Sequence, residues 1–173
     1  MDVTKLNEKK GFTIVETLIV LAIAALILII VLIAVPDLQR SAQNSNLRTD
    51  AQNVAAAIQT FEGNNQGELP GSITASNGVV TVSASSASGS GGTSGIPATG
   101  HIQASTTINS LITGPQAQTY SGSNNTTIYV ETQAECPSSV ASGTITPKTN
   151  QRGVAIIFPI DNGSGYSAGC IQD

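Results

Sequence analysis

The sequence predicts an α+β protein in which one long N-terminal helix, apolar in its first half and amphipathic in its second, packs on a small antiparallel β-sheet. Three observations carry this. An unbroken apolar run extends from Leu18 to Val35. A stripe of apolar residues follows it at helical spacing. Beyond Gly63 the chain turns to Gly, Ser, Thr, Asn and Gln, broken by short β-branched segments. With 173 residues in all, what remains outside the apolar run suffices for one small globular domain.

The eighteen residues from Leu18 to Val35 rise about 27 Å as a helix, close to the ~30 Å hydrocarbon thickness of a bilayer, and adding Phe12 to Val15 completes a span. Glu16 stands at its start, behind a basic leader that ends in Lys9-Lys10-Gly11. A carboxylate in or near hydrocarbon is costly, by roughly 2.5 to 3.5 kcal/mol at a helix centre, and usually has a functional partner. The nearest candidate is a free amine on Phe12, which exists only if the chain is cut after Gly11. The bland alternative is that Glu16 snorkels to the cytoplasmic headgroups.

Lys10-Gly11-Phe12-Thr13-Ile14-Val15-Glu16 followed by the apolar run resembles the type IV prepilin signature: basic leader, Gly, aromatic first mature residue, and an acid four residues on. The resemblance implies a pilin fold, cleavage after Gly11 and N-methylation at Phe12 by a prepilin peptidase/methyltransferase, and a role for Glu16 in assembly through a neighbouring subunit's N-terminal amine. It implies as partners other pilin subunits in a helical homopolymer, the inner-membrane pilus assembly machinery, and the membrane before assembly. The implied product is a structural subunit of an extracellular pilus for adhesion or motility. Minor pilins and type II secretion pseudopilins share every one of these N-terminal features. In one respect the chain departs from the family, whose members often carry a helix-breaking proline earlier than Pro36; Leu26 to Val35 contains none.

The expected organisation is a leader over residues 1–11, a transmembrane or filament-core helix over 12–36, the amphipathic half of the helix over 37–63, and an extracytoplasmic head over 64–173. An ordinary signal peptide, cut near Ile33-Ala34-Val35, is the competing reading, but it leaves the Gly-Phe-Glu pattern unexplained. A single-pass anchor for a surface binding domain that never polymerises is the alternative from another functional class.

Lys5, Lys9 and Lys10 precede the apolar run, and only Arg40, Arg48, Lys148 and Arg152 follow it, which places the N-terminus in the cytoplasm and the head outside. After the leader, four cations face nine acids, a net charge of −5. With no cluster of Lys and Arg to bind phosphates, no nucleic-acid partner is expected. Cys136 and Cys170 are the two cysteines, and an oxidising compartment favours their pairing, which also resembles the disulfide-bounded C-terminal region of many type IV pilins. Closing that loop restricts the unfolded chain by roughly 3 to 4 kcal/mol.

Leu47, Ala51, Val54, Ile58 and Phe61 form one stripe, with Asn44, Arg48, Asp50, Gln52, Asn53 and Gln59 on the other faces. Pro36 predicts a bend, and Gly63-Asn64-Asn65 a C-terminal cap. A helix from Phe12 to Glu62 would be on the order of 75 Å long, more than a 100-residue domain can cover, so its first half must be covered by lipid or by other copies.

In the head, Val79-Val80-Thr81-Val82 reads as a short strand and residues 83–95 as a low-complexity exposed loop. Ile108, Leu111 and Ile112 predict a short helix over Ser105 to Ile112. Ile128 to Thr132 and Gly153 to Phe158 read as strands, the second the more buried, with Tyr166 to Ile171 returning antiparallel after a turn at Asp161 to Gly165.

Nothing here points to an enzyme, a cofactor or a metal. His101, the only histidine, lies in a Gly/Thr-rich segment without acids or Cys nearby, and Glu131 and Glu135 read as a solvated strand edge. Asp161-Asn162-Gly163-Ser164 offers oxygen ligands on a tight turn, as some secretion pseudopilins use for calcium, but one carboxylate is few for a cation that takes six to eight oxygens. Asn124-Asn125-Thr126-Thr127 and Asn162-Gly163-Ser164 match the N-glycosylation pattern, which is common by chance in such a composition.

Overall fold

The structure, a computed structural model, describes residues 11–84, 95–109, 111–120, 125–138 and 144–173. Residues 1–10 of the expected leader, residues 85–94 of the low-complexity loop, and Asn124 lie outside the described residues. Among the described residues, one helix, α1 (Ile14–Asn64), and ten strands make up an α+β arrangement. The chain divides into two units, residues 1–39 and 40–173.

In the first unit α1 begins at Ile14, and every described residue up to Gln39 is exposed. The helix continues through Pro36.

In the second unit α1 covers an antiparallel sheet system with the predicted stripe. Leu47, Ala51, Val54, Ile58 and Phe61 are all buried, joined by Ala55 and Ala57. The helix ends at Asn64, within the expected Gly63-Asn64-Asn65 cap, in a Schellman motif: Gln66 takes the left-handed conformation (φ 58°) and the Gly67 N–H donates to Glu62 O at 2.8 Å.

Strands β1 (Ser72–Ser76), β2 (Val79–Ser83) and β3 (Ala98–His101) form an antiparallel three-stranded sheet. β1 and β2 are joined at Asn77-Gly78, both at positive φ (50° and 77°), the two-residue turn whose twist matches a hairpin. The larger sheet runs β10 (Tyr166–Gln172), β9 (Lys148–Asp161), β7 (Thr127–Glu135), β4 (Thr107–Ile108), with β5 (Ile112–Thr113) also on β7. The return of Tyr166 to Ile171 is antiparallel to β9, with Gly169 opposite Phe158. A Cβ on Gly169 would lie 2.4 Å from the Phe158 ring, so that ring fits only because residue 169 has no side chain. β6 (Gln118–Thr119) and β8 (Thr144–Ile145) form a separate antiparallel pair.

The short helix expected over Ser105 to Ile112 is not formed. β4 and β5 occupy that stretch instead, both parallel to β7. The Thr107 and Asn109 N–H groups donate to Thr126 O and Ile128 O at 3.1 and 2.9 Å, and Gly114 N–H to Thr132 O at 2.8 Å. An eight-residue helix is marginal alone, while β-branched Thr106, Thr107, Ile108, Ile112 and Thr113 suit a pleated edge.

β9 is buried on both faces from Gly153 to Pro159, as a central strand must be. Val154, Ile156 and Phe158 share a core with α1, Val80, Val82, Ile128 and Val130. Ile157 joins a second cluster with Tyr120, Ile145 and Ala168, against which Tyr129 and Tyr166 also pack.

Candidate functional site

The residues singled out at the N-terminus stand at the first turn of α1. Phe12 is 87% exposed. Thr13 and Glu16 form a capping box: the Thr13 N–H and hydroxyl both donate to Glu16 Oε2 at 3.0 Å, and the Glu16 N–H donates to Thr13 Oγ1 at 3.2 Å. Two N–H groups that a helix start leaves without intrahelical acceptors are thereby satisfied. Thr17 returns its hydroxyl to Ile14 O at 2.8 Å. Thr13, Glu16 and Thr17, the polar side chains at the start of the apolar segment, therefore have partners in their own chain, and the Glu16 carboxylate keeps acceptor capacity for a further donor.

Cys136 and Cys170 are joined by a disulfide with Cα atoms 5.8 Å apart. Beside it the Cys136 N–H donates to Gln172 Oε1 at 2.7 Å, which ties the end of β7 to β10.

Four helix side chains assigned to the outer faces of the stripe, or to the cap, instead fasten the head. Asn44 bonds the Asp161 backbone twice, through Nδ2 to the carbonyl at 2.8 Å and through Oδ1 from the N–H at 2.9 Å. Asn53 Nδ2 donates to His101 O at 2.7 Å, and Asn65 pairs with the Ile96 N–H and carbonyl at 2.8 and 3.0 Å. Asp50 is buried, taking the Gln103 N–H and the Thr106 hydroxyl. Its spacing from Leu47 and Val54 placed it on the stripe's edge and could have shown this.

Glu131 is likewise not on a solvated edge. It is fully buried, with Gln116 N–H on Oε2 at 3.0 Å and Gln118 Nε2 on Oε1 at 2.7 Å. Burial pushes its carboxyl above the usual range, against the lowering effect of those two bonds. Tyr120, whose hydroxyl donates to Ile157 O at 2.8 Å, is also pushed up, first by burial and then by Tyr129 and Glu131. Alternation along β7 puts Glu131 on the face of Tyr129, and that face is covered by a two-residue strand pair that no sequence pattern announces.

His101 is exposed at the end of β3. Asp161 Oδ1 accepts the Gly163 N–H at 2.8 Å, and its Oδ2 lies 4.0 Å from Arg40 Nε, so the turn's one carboxylate is engaged by the protein. Among the described residues no three of His, Cys, Asp and Glu gather as metal ligands. Asn125 Nδ2 donates to the Tyr166 hydroxyl at 3.2 Å, and Asn162 Oδ1 accepts the Ser164 hydroxyl at 3.4 Å.

Residues 6–32 match the family model of the prokaryotic N-terminal methylation motif, the processing signal of type IV pilins and pseudopilins. The match covers the end of the expected leader, Gly11-Phe12, Glu16 and most of the apolar run, and does not extend beyond residue 32. No curated protein and no solved structure matches the chain.

Proposed function

We propose that the chain is a structural subunit of a type IV pilus or a closely related filament. It is made with the leader 1–11, anchored by residues 12–36 with its N-terminus in the cytoplasm, cut between Gly11 and Phe12, and methylated at Phe12. Residues 37–63 are the amphipathic half of the helix, residues 64–173 form the extracytoplasmic head, and copies polymerise through the N-terminal helix. The observation that carries this reading is that a methylation motif opens on and runs into a helical stretch whose described residues are exposed all the way to Gln39. Such a surface needs lipid or like helices, and helices of this kind pack on copies of themselves as readily as on acyl chains. The role is structural rather than enzymatic. The motif is common to minor pilins and secretion pseudopilins, which form the second reading; abundance in sheared fibres separates them from a major subunit.

Glu16 is the assembly residue in this reading, its remaining acceptor capacity directed to the amine of a neighbour's Phe12. Glu16→Gln tests it cleanly, because Gln preserves a capping box but carries no charge. Filament yield is expected to fall in Glu16→Gln and Glu16→Ala alike, with insertion and cutting intact, while Thr13→Ala, which removes only the cap, falls less. Normal yield from Glu16→Gln would limit Glu16 to capping. Mass spectrometry of the N-terminus should find methyl-Phe12; an intact Met1, or a cut near Val35, would rule the filament reading out.

A further inference from the structure

Glu131 is a fully buried carboxyl held by a strap that the main sheet does not hold in return. Its donors, the Gln116 N–H and Gln118 Nε2, come from the stretch that leads into β6. β6 and β8 pair with each other in a sheet of their own, Gln118 opposite Ile145 and Thr119 opposite Thr144, apart from the ladder of the larger sheet. Just past β6 the Tyr120 hydroxyl donates to Ile157 O at 2.8 Å. The strap thus reaches the polar groups of the sheet at Glu131 and at Ile157.

The groups that face the carboxyl carry no charge to offset its own. β5 sets Ile112 beside it, and β9 sets Ala155 opposite it. The strap contributes Gln118 and Ile145, and the cluster next to them holds Tyr120, Tyr129, Tyr166 and Cys170, whose sulfur is in the disulfide. The charged residues of these strands lie elsewhere: Glu135 opposite Lys148, and Arg152, are exposed at or beyond the β-bulge after Thr132, while Asp161 stands beside Arg40. Burial accordingly outweighs the two donors and pushes the Glu131 carboxyl above its ordinary range.

We propose that the β6–β8 pair is a pH-dependent lid, which closes over a protonated Glu131 and is released when that side chain ionises. A closed lid shuts out the water that a carboxylate needs, whereas an open one lets the carboxylate be hydrated. The closed form therefore binds the proton more tightly than the open form does. Between an ordinary carboxyl value near about 4 and the raised value of the closed form, the ratio of open to closed grows about tenfold per pH unit, and above that it levels off. Opening uncovers Glu131, Tyr129 and Ile157, so the surface of the head changes with the pH around it. This holds whether or not the chain polymerises.

Hydrogen exchange of the full chain in micelles tests the lid, with wild type and Glu131→Gln compared at each pH so that the intrinsic chemistry of exchange cancels. From about pH 4 upward the stretch 115–120 should exchange progressively faster in wild type than in the variant. The ratio should grow by up to about tenfold per pH unit before levelling off, while residues 153–159 of β9 keep the same protection in both. Gln118→Met removes one donor and leaves the carboxyl. It should exchange faster than wild type over 115–120, by a margin that widens several-fold between pH 4 and pH 7, and it decides the matter if Glu131→Gln fails to form the Cys136–Cys170 bond. A ratio and a margin that stay flat with pH overturn the proposal. So does exchange over 153–159 that rises in step with 115–120, because the whole head rather than the lid would then be opening.

Discussion

The two halves of α1 share one secondary structure and almost nothing else. From Ile14 to Gln39 the side chains are exposed, and the polar ones at the start, Thr13, Glu16 and Thr17, are satisfied within the first turn. From Arg40 to Asn64 one stripe is buried, and Asn44, Asp50, Asn53 and Asn65 make contacts with segments 31 to 117 positions away. The difference teaches that helicity settles neither burial nor partner. The second half is specified by a single cognate surface, whereas the first is apolar all round and accepts any apolar surround.

The largest effect that could break this contrast is in the core. Phe61→Ala should cost the head about 3 to 5 kcal/mol, through lost burial and the cavity left behind. Ile27→Ala should leave the head within about 0.5 kcal/mol of wild type, since that side chain touches no core. Denaturant unfolding of the micelle-bound chain, followed by near-ultraviolet circular dichroism, measures both, and a comparable loss from Ile27→Ala would end the distinction. Replacing Cys136 and Cys170 together by Ser comes next, with an expected loss of about 3 to 4 kcal/mol from the unfolded chain's regained freedom. The same measurement with and without reductant checks it.

The smallest effect sharpens the comparison through pH. Glu131, Glu62 and Asp173 hold their protons more tightly folded than unfolded. An unfolded carboxyl titrates near about 4. As pH rises above that, the unfolded chain releases these protons first, so head stability should decline until the raised folded values are passed. Glu131→Gln should flatten part of that decline, with Gln118 free to turn its amide and keep the pair bonded. An unchanged pH profile would show that Glu131 does not contribute to it.

Much of the architecture was legible because it is local or periodic. The stripe from Leu47 to Phe61, the strands at Val79, Ile128 and Gly153, and the return from Tyr166 each followed from spacing or alternation. Residues 105 to 112 misled because Ile108, Leu111 and Ile112 fit a helix as well as two strand edges, and the deciding partner, β7, lies many residues downstream. Glu131 misled for a related reason: an acid on an alternating strand reads as solvated until Gln116, Gln118 and the β6–β8 pair are known to cover it.

By itself the sequence determined the processing motif at Gly11-Phe12, the membrane-length apolar run and the core stripe. Each depends on residues within a turn or two of one another, or on composition along a single axis. The tertiary structure alone decided that Asn44, Asn53 and Asn65 pin the head, that Asp50 and Glu131 are interior, and that the described strands divide among separate sheets. Those outcomes depend on which backbone groups arrive opposite a side chain after the chain has closed on itself, and no local pattern carries that information.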